Sequence, residues 1–156
     1  MSCNELKFSC PKEEDTANLG RKIALLAQKG DIFALFGTLG MGKSVFSRAF
    51  IQQLCGKTEV PSPTFTLVQM YETPDLDIYH FDLYRLKSAE EIFELGIEEA
   101  MYEGVCLIEW PEKMGGYLPL KAIKVEIIPL NQGREVKITF NDEKTYQRFS
   151  SLEGNK

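Results

Sequence analysis

The segment Gly37-Thr38-Leu39-Gly40-Met41-Gly42-Lys43-Ser44 satisfies G-x-x-x-x-G-K-[ST] at every fixed position, and it constrains the fold more than any other stretch of the chain. Such a loop works only where a buried strand ends and a helix begins, because a glycine turn and the free N–H groups of a helix N-terminus must together surround an anion. Both flanks comply. Ile32-Phe33-Ala34-Leu35-Phe36 is a continuous apolar run, as expected of a strand covered on both faces. Beyond the loop, Val45, Phe46, Ala49, Phe50 and Leu54 form the buried stripe of a helix that Gly56 should end. At average residue frequencies a chain of this length matches the motif by chance on the order of once in two hundred. In this reading the backbone of Gly37 to Ser44 holds nucleotide phosphates, Lys43 neutralises the β/γ oxygens, and the Ser44 hydroxyl supplies one oxygen to Mg²⁺.

The rest of the chain reads as one α/β domain. Glu5 to Ser9 is a short strand, Pro11 with Glu13, Glu14 and Asp15 opens a helix, and Leu19, Ile23 and Leu26 carry it through Lys29 to a stop at Gly30. After a Pro/Ser/Thr loop from Val60 to Thr66, Leu67 to Tyr71 and Asp77 to Phe81 form a hairpin around Pro74-Asp75. Ser88-Ala89-Glu90-Glu91 has capping-box spacing for a short helix, which Gly96 interrupts before Ile97 to Tyr102. Val105 to Ile108 is a second buried strand, and Ala122 to Ile128 with Glu135 to Phe140 form a closing hairpin across Asn131-Gln132-Gly133. The expected architecture is a three-layer P-loop NTPase fold, a mixed β-sheet flanked by helices, over residues 1–150, with a polar tail at 151–156 read as disordered.

Composition excludes several classes. The net charge of −5 opposes sequence-independent grip on a polyanion, so direct nucleic-acid chemistry is disfavoured. The four cysteines show no zinc-ligand spacing and His80 is the only histidine, which suits free thiols in a reducing compartment. Charges in MSCNELKFSC stand where a signal peptide needs an apolar run, and no stretch approaches the roughly 18 apolar residues of a membrane span. A cytoplasmic location and no membrane partner are the expectation.

A phosphate loop of this type needs a second acidic group for the Mg²⁺ shell, commonly at the end of a neighbouring buried strand. Glu109, closing Val105-Cys106-Leu107-Ile108, has that position, although a strand leaving the core at a charge would look the same. Asp82 closes the strand before Leu83-Tyr84-Arg85 and either holds the attacking or a magnesium water or caps the following turn. His80 reads as a structural histidine, Arg85 as a phosphate sensor or a surface ion pair, and Trp110 as core or as a neighbour of the site. Ser62-Pro63-Thr64 lies where a switch segment would, and equally where an ordinary turn would.

Together, Gly37 to Ser44, Ser62-Pro63-Thr64-Phe65-Thr66-Leu67-Val68, Tyr79-His80-Phe81-Asp82-Leu83-Tyr84-Arg85-Leu86, Leu95-Gly96-Ile97 and Leu107-Ile108-Glu109-Trp110-Pro111-Glu112-Lys113 occur in the order found in the bacterial TsaE (YjeE) family, and over residues 11–119 the chain resembles it. The resemblance implies ATP rather than GTP, Mg²⁺, and service as accessory ATPase to a TsaB–TsaD pair that transfers a threonylcarbamoyl group to adenosine 37 of tRNA. The tRNA would be met only through that complex. The catalytic set is expected to be Asp82, Lys43 and Glu109; by the resemblance Ser44 and Glu109 bind magnesium and Asp82 is needed for hydrolysis, while the block around Thr64 is the switch and Trp110 adjoins the metal carboxylate. The helix start from Glu13 to Thr16, and Arg134, matching more loosely, would close over the nucleotide. The chain departs from the common family loop at Thr38, Met41 and Ser44, where Asp, Ala and Thr are usual; Ser44 keeps the hydroxyl, so binding should persist.

Two other readings share the loop. A small-molecule kinase needs an acceptor pocket and an arginine-bearing lid, and no segment reads as such a lid. A nucleotide-dependent regulatory binding module would need no productive hydrolysis. A GTPase is disfavoured by the lack of an N-K-x-D segment.

Overall fold

The apolar run that precedes the glycine loop becomes the central strand of a seven-stranded sheet, and its two faces are buried by different helices. In the computed structural model, residues 4–37, 42–56, 59–61, 63 and 66–154 are described. In chain order the elements are β1 (Asn4–Cys10), α1 (Glu13–Leu26), β2 (Ile32–Phe36), α2 (Lys43–Cys55), β3 (Val68–Tyr71), β4 (Ile78–Asp82), α3 (Ile97–Glu103), β5 (Val105–Glu109), β6 (Ile123–Pro129), β7 (Arg134–Phe140) and α4 (Glu143–Phe149). Short 3₁₀ segments cover Ala89–Leu95, Pro111–Tyr117 and Ser150–Gly154.

The sheet order is β1-β7-β6-β2-β5-β4-β3. β2 pairs in parallel with both β5 and β6, β4 pairs in parallel with β5, and β3, β7 and β1 each pair antiparallel with their neighbours. This is the mixed, three-layer arrangement expected. On one face Phe33, Leu35 and Leu107 pack against Phe46 and Phe50 of α2 and Ile23 of α1. On the other, Ile32, Ala34, Cys106 and Ile108 pack against Ile92, Ile97 and Met114. Alternate residues of one strand thus enter different cores, which is why the runs are apolar throughout. Helices α1 and α2 come close because Gly20 has no side chain; a Cβ there would lie 2.8 Å from the Phe46 carbonyl oxygen.

Both hairpins form in the expected places, and Gly96 interrupts the helical segment with a φ of 76°. The segment opened by Ser88 is a 3₁₀ helix, and the Glu91 carboxylate accepts from the N–H groups of Lys87 and Ser88 just before it. Two expectations need correction. Helix α1 stops at Leu26 rather than Lys29, because Arg148 donates to the Leu26 carbonyl at 2.9 Å and Asp31 accepts from the Gln28 N–H at 2.8 Å, so a turn replaces the last helical residues. The C-terminal stretch is ordered through Gly154: α4 is capped by Asp142, which accepts from the Thr145 N–H, and Phe149 and Leu152 are buried in the larger core. No helix among the described residues is long and apolar enough to cross a membrane.

Candidate functional site

Three parallel strands, β2, β5 and β4, end side by side, and at that edge the chain gathers its buried polar side chains. Open parallel sheets offer ligand sites beyond the carboxyl ends of their strands, since loops there are free to diverge. Gly37 leaves β2 against β6; a Cβ on it would meet the Ile127 carbonyl oxygen at 3.2 Å and Lys43 Cγ at 3.7 Å. Gly42 caps α2 with φ 108°, a left-handed conformation that glycine adopts without strain, and its carbonyl accepts from the Phe46 N–H. Thr38, Leu39, Gly40 and Met41 lie outside the described residues, as does the switch candidate Thr64.

Lys43 opens α2 and is almost fully buried. Its Nζ sits 3.5 Å from the centroid of the Trp110 ring. Burial lowers its pKa, against the pull of Glu109, Glu112 and Asp82, which favour the ammonium. Ser44, one residue on, is exposed at the start of the helix. Trp110 is half-buried with a left-handed φ of 60°, its ring lies 4.9 Å from that of Tyr84 at a tilt of 50°, and it packs against the smaller core, so it borders both that core and Lys43. A cleft of about 530 Å³ opens beside Gly37, walled by Phe36, Trp110, Glu126, Ile127 and Pro129.

The parallel register pairs Asp82 of β4 with Glu109 of β5, and both side chains are buried. Partners in register point to the same side of a sheet, here the side that α2 covers. Glu109 Oε2 receives two donors, His80 Nε2 at 2.7 Å and Ser47 Oγ at 3.3 Å. An ionised carboxylate only accepts, so Nε2 carries the proton. Nδ1 of His80 is buried without a hydrogen-bond partner among the described residues. Asp82 Oδ1 accepts the Tyr84 N–H at 3.0 Å, so the turn-capping expectation for Asp82 describes part of what it does. Its backbone N–H donates to the carbonyl of Leu67, a residue held at φ 70° whose own N–H reaches the Pro63 carbonyl. Pro63 and Leu67 are thereby tied to the strand end that carries Asp82.

Arg134, the first residue of β7, comes close to Gly42 from two strands away from β2. Its Nη1 donates to Thr16 Oγ1 at 3.3 Å, and a Cβ on Gly42 would lie 3.7 Å from both Arg134 Cδ and Thr16 Cγ2. Its buried Nε has no partner among the described residues. Glu13 is exposed at the start of α1, and the residue of that helix brought to Gly42 is the buried Thr16. Arg85 is exposed.

Ser47 and His80 were not singled out as site residues by sequence reasoning, whereas Thr16 ends the helix start, Glu13 to Thr16, that the family resemblance brought to the nucleotide. The signal for Ser47 is a hydroxyl on the apolar stripe one helical turn past Lys43; for His80 it is the two-residue spacing that puts it on the face of Asp82. As for a metal, the Ser44 hydroxyl and the Glu109 carboxylate are hard oxygen donors, and no described residue bonds Glu109 Oε1. That set fits Mg²⁺, which keeps several waters and takes few protein ligands.

The family model for the threonylcarbamoyl adenosine biosynthesis protein TsaE matches residues 10–136. Proteins named tRNA threonylcarbamoyladenosine biosynthesis protein TsaE are similar to the chain: one from Rickettsia bellii at 45% identity over 80% of this chain and 87% of its own, and one from Bacillus subtilis at 34% over 87% and 85%. Among solved structures, Bacillus subtilis YdiB superposes with a TM-score of 0.78 at 28% identity, covering 99% of this chain and 97% of that one. With the loop, the paired strand-end carboxylates and these matches in agreement, the fold is that of a P-loop NTPase and the chain belongs to the TsaE family.

Proposed function

We propose that the chain binds Mg-ATP on Gly37 to Ser44, with Glu13 and Arg134 as flanking contacts, and hydrolyses it as the accessory ATPase of a TsaB–TsaD complex that transfers threonylcarbamoyl to tRNA adenosine 37 in the cytoplasm. The observation that carries this reading is the register of Asp82 against Glu109, which sets two buried carboxylates side by side at the sheet edge where Lys43 and Ser44 begin α2. Lys43, held in a poorly solvated setting, is the counter-charge for the phosphates. Magnesium would be held by Ser44 and Glu109, and when bound it neutralises charge on the phosphoryl oxygens. Asp82 orients the attacking water, Trp110 supports Lys43, and Thr64 belongs to the segment that senses the nucleotide. Association with TsaB–TsaD, with tRNA met only inside that complex, rests on family membership.

The test compares Asp82→Ala and Glu109→Ala with the parent chain. Asp82→Ala should keep Mg-ATP binding in calorimetry and lose hydrolysis by about 100-fold or more. Glu109→Ala should lose magnesium-dependent binding. Both should still join the partner proteins yet fail to support repeated tRNA modification. If both variants sustain repeated modification cycles, hydrolysis is not the function and the nucleotide-dependent binding module takes its place.

A further inference from the structure

Both donors that reach Glu109 fall on the same oxygen, and they come from two different elements. Ser47 lies on α2 one turn beyond Lys43 and Ser44, while His80 lies on β4 two residues before Asp82. The three side chains are buried, so water does not compete for the bonds. Building on the magnesium–ATP reading above, we infer that Ser47 and His80 are positioning residues that lock Glu109 Oε2 and so present Oε1 as the single carboxylate oxygen available to the cation.

The consequence is cation selectivity. Mg²⁺ demands near-octahedral geometry and is satisfied by one carboxylate oxygen with waters and phosphate, whereas Ca²⁺ accepts higher coordination and often takes both oxygens of a carboxylate. A carboxylate with one oxygen already engaged by two hydrogen bonds disfavours the bidentate mode. Ser47 also links the helix that carries Ser44 to the strand that carries Glu109, so the two proposed magnesium donors are held at one separation. Groups that orient a metal ligand from behind typically change metal affinity by about 10–100-fold when removed.

The test measures binding of a slowly hydrolysed ATP analogue by calorimetry in three conditions: with Mg²⁺, with Ca²⁺, and with a chelator. For His80→Ala, Mg²⁺-supported affinity should fall by about 10–100-fold while Ca²⁺-supported and metal-free affinities change by less than about threefold. His80→Gln, whose amide N–H reaches the position of Nε2, should restore the preference for Mg²⁺. Ser47→Ala should shift it in the same direction as His80→Ala, and serves if His80→Ala does not fold. An equal loss in all three conditions would mean that His80 only holds the fold and would overturn the inference, as would an unchanged Mg²⁺ to Ca²⁺ ratio in both variants. If the parent chain itself shows no saturable binding with Mg²⁺, the magnesium–ATP reading fails, and this inference with it.

Discussion

Cys106 sits in β5, three residues before Glu109, with no solvent exposure, between Ile32 of β2 and Tyr79 of β4. Burial pushes its thiol from 9.0 to about 12, opposed only by the positive charge of Lys121. The folded chain therefore holds this proton more tightly than the unfolded chain does. The corresponding stability is complete below about pH 9 and is lost as pH rises toward about 12. Each pH unit in that window is worth about 1.4 kcal/mol, so taking the parent from neutral pH to about pH 10 should cost about 1.4 kcal/mol through this one group. For a chain of this size that is a fall of about 3–6 °C in melting temperature. Cys106→Ala removes the group, while the other thiols and tyrosines titrate in both chains and cancel in the comparison. Thermal melts followed by circular dichroism, with reductant present, should show the variant losing about 3–6 °C less than the parent between neutral pH and about pH 10. Parallel pH dependences of the two chains would refute the reasoning, because a buried thiol in that strand could not then be the source of the alkaline sensitivity.

Two further predictions concern the site and the C-terminal segment. Lys43→Met should abolish most nucleotide affinity, by about 100-fold or more, while stability changes by less than about 1 kcal/mol, since a poorly solvated ammonium is exchanged for an apolar chain of similar length; calorimetry and thermal melting on the same preparation check both signs. Leu152→Ala should cost about 2 kcal/mol, the low end for a core leucine because the groove beside it, lined by Cys10 and Leu19, is open to solvent, and thermal melting should register a drop of about 4–8 °C.

Much of this fold was legible because its signals are local. The two hairpins follow from alternation and turn residues, and the break at Gly96 follows from a glycine between two helical stretches. The misread ends have a common cause. Helix α1 is cut short by Arg148, 122 residues away, which takes the Leu26 carbonyl. The C-terminal turn is held because Phe149 and Leu152 join the larger core, Phe149 against Phe33 of β2 and Phe140 of β7, while the local sequence looks polar. Trp110 answers to both of its readings: it packs against the smaller core, and the left-handed backbone that follows Glu109 also brings the indole under Lys43.

The sequence by itself determined the glycine-rich motif, its strand and helix, and the identities of Asp82 and Glu109 as strand-end carboxylates. These rest on spacing along one stretch of chain, where backbone geometry leaves few options. Only the tertiary structure decided that β4 lies beside β5, so that Asp82 pairs with Glu109, and that His80 and Ser47 converge on one oxygen of that glutamate. It also decided that Arg134 and Thr16, 118 residues apart, meet at Gly42. Strand order and register are set by how the whole apolar surface is buried at once, and no local pattern encodes which polar atoms that packing brings within hydrogen-bonding distance.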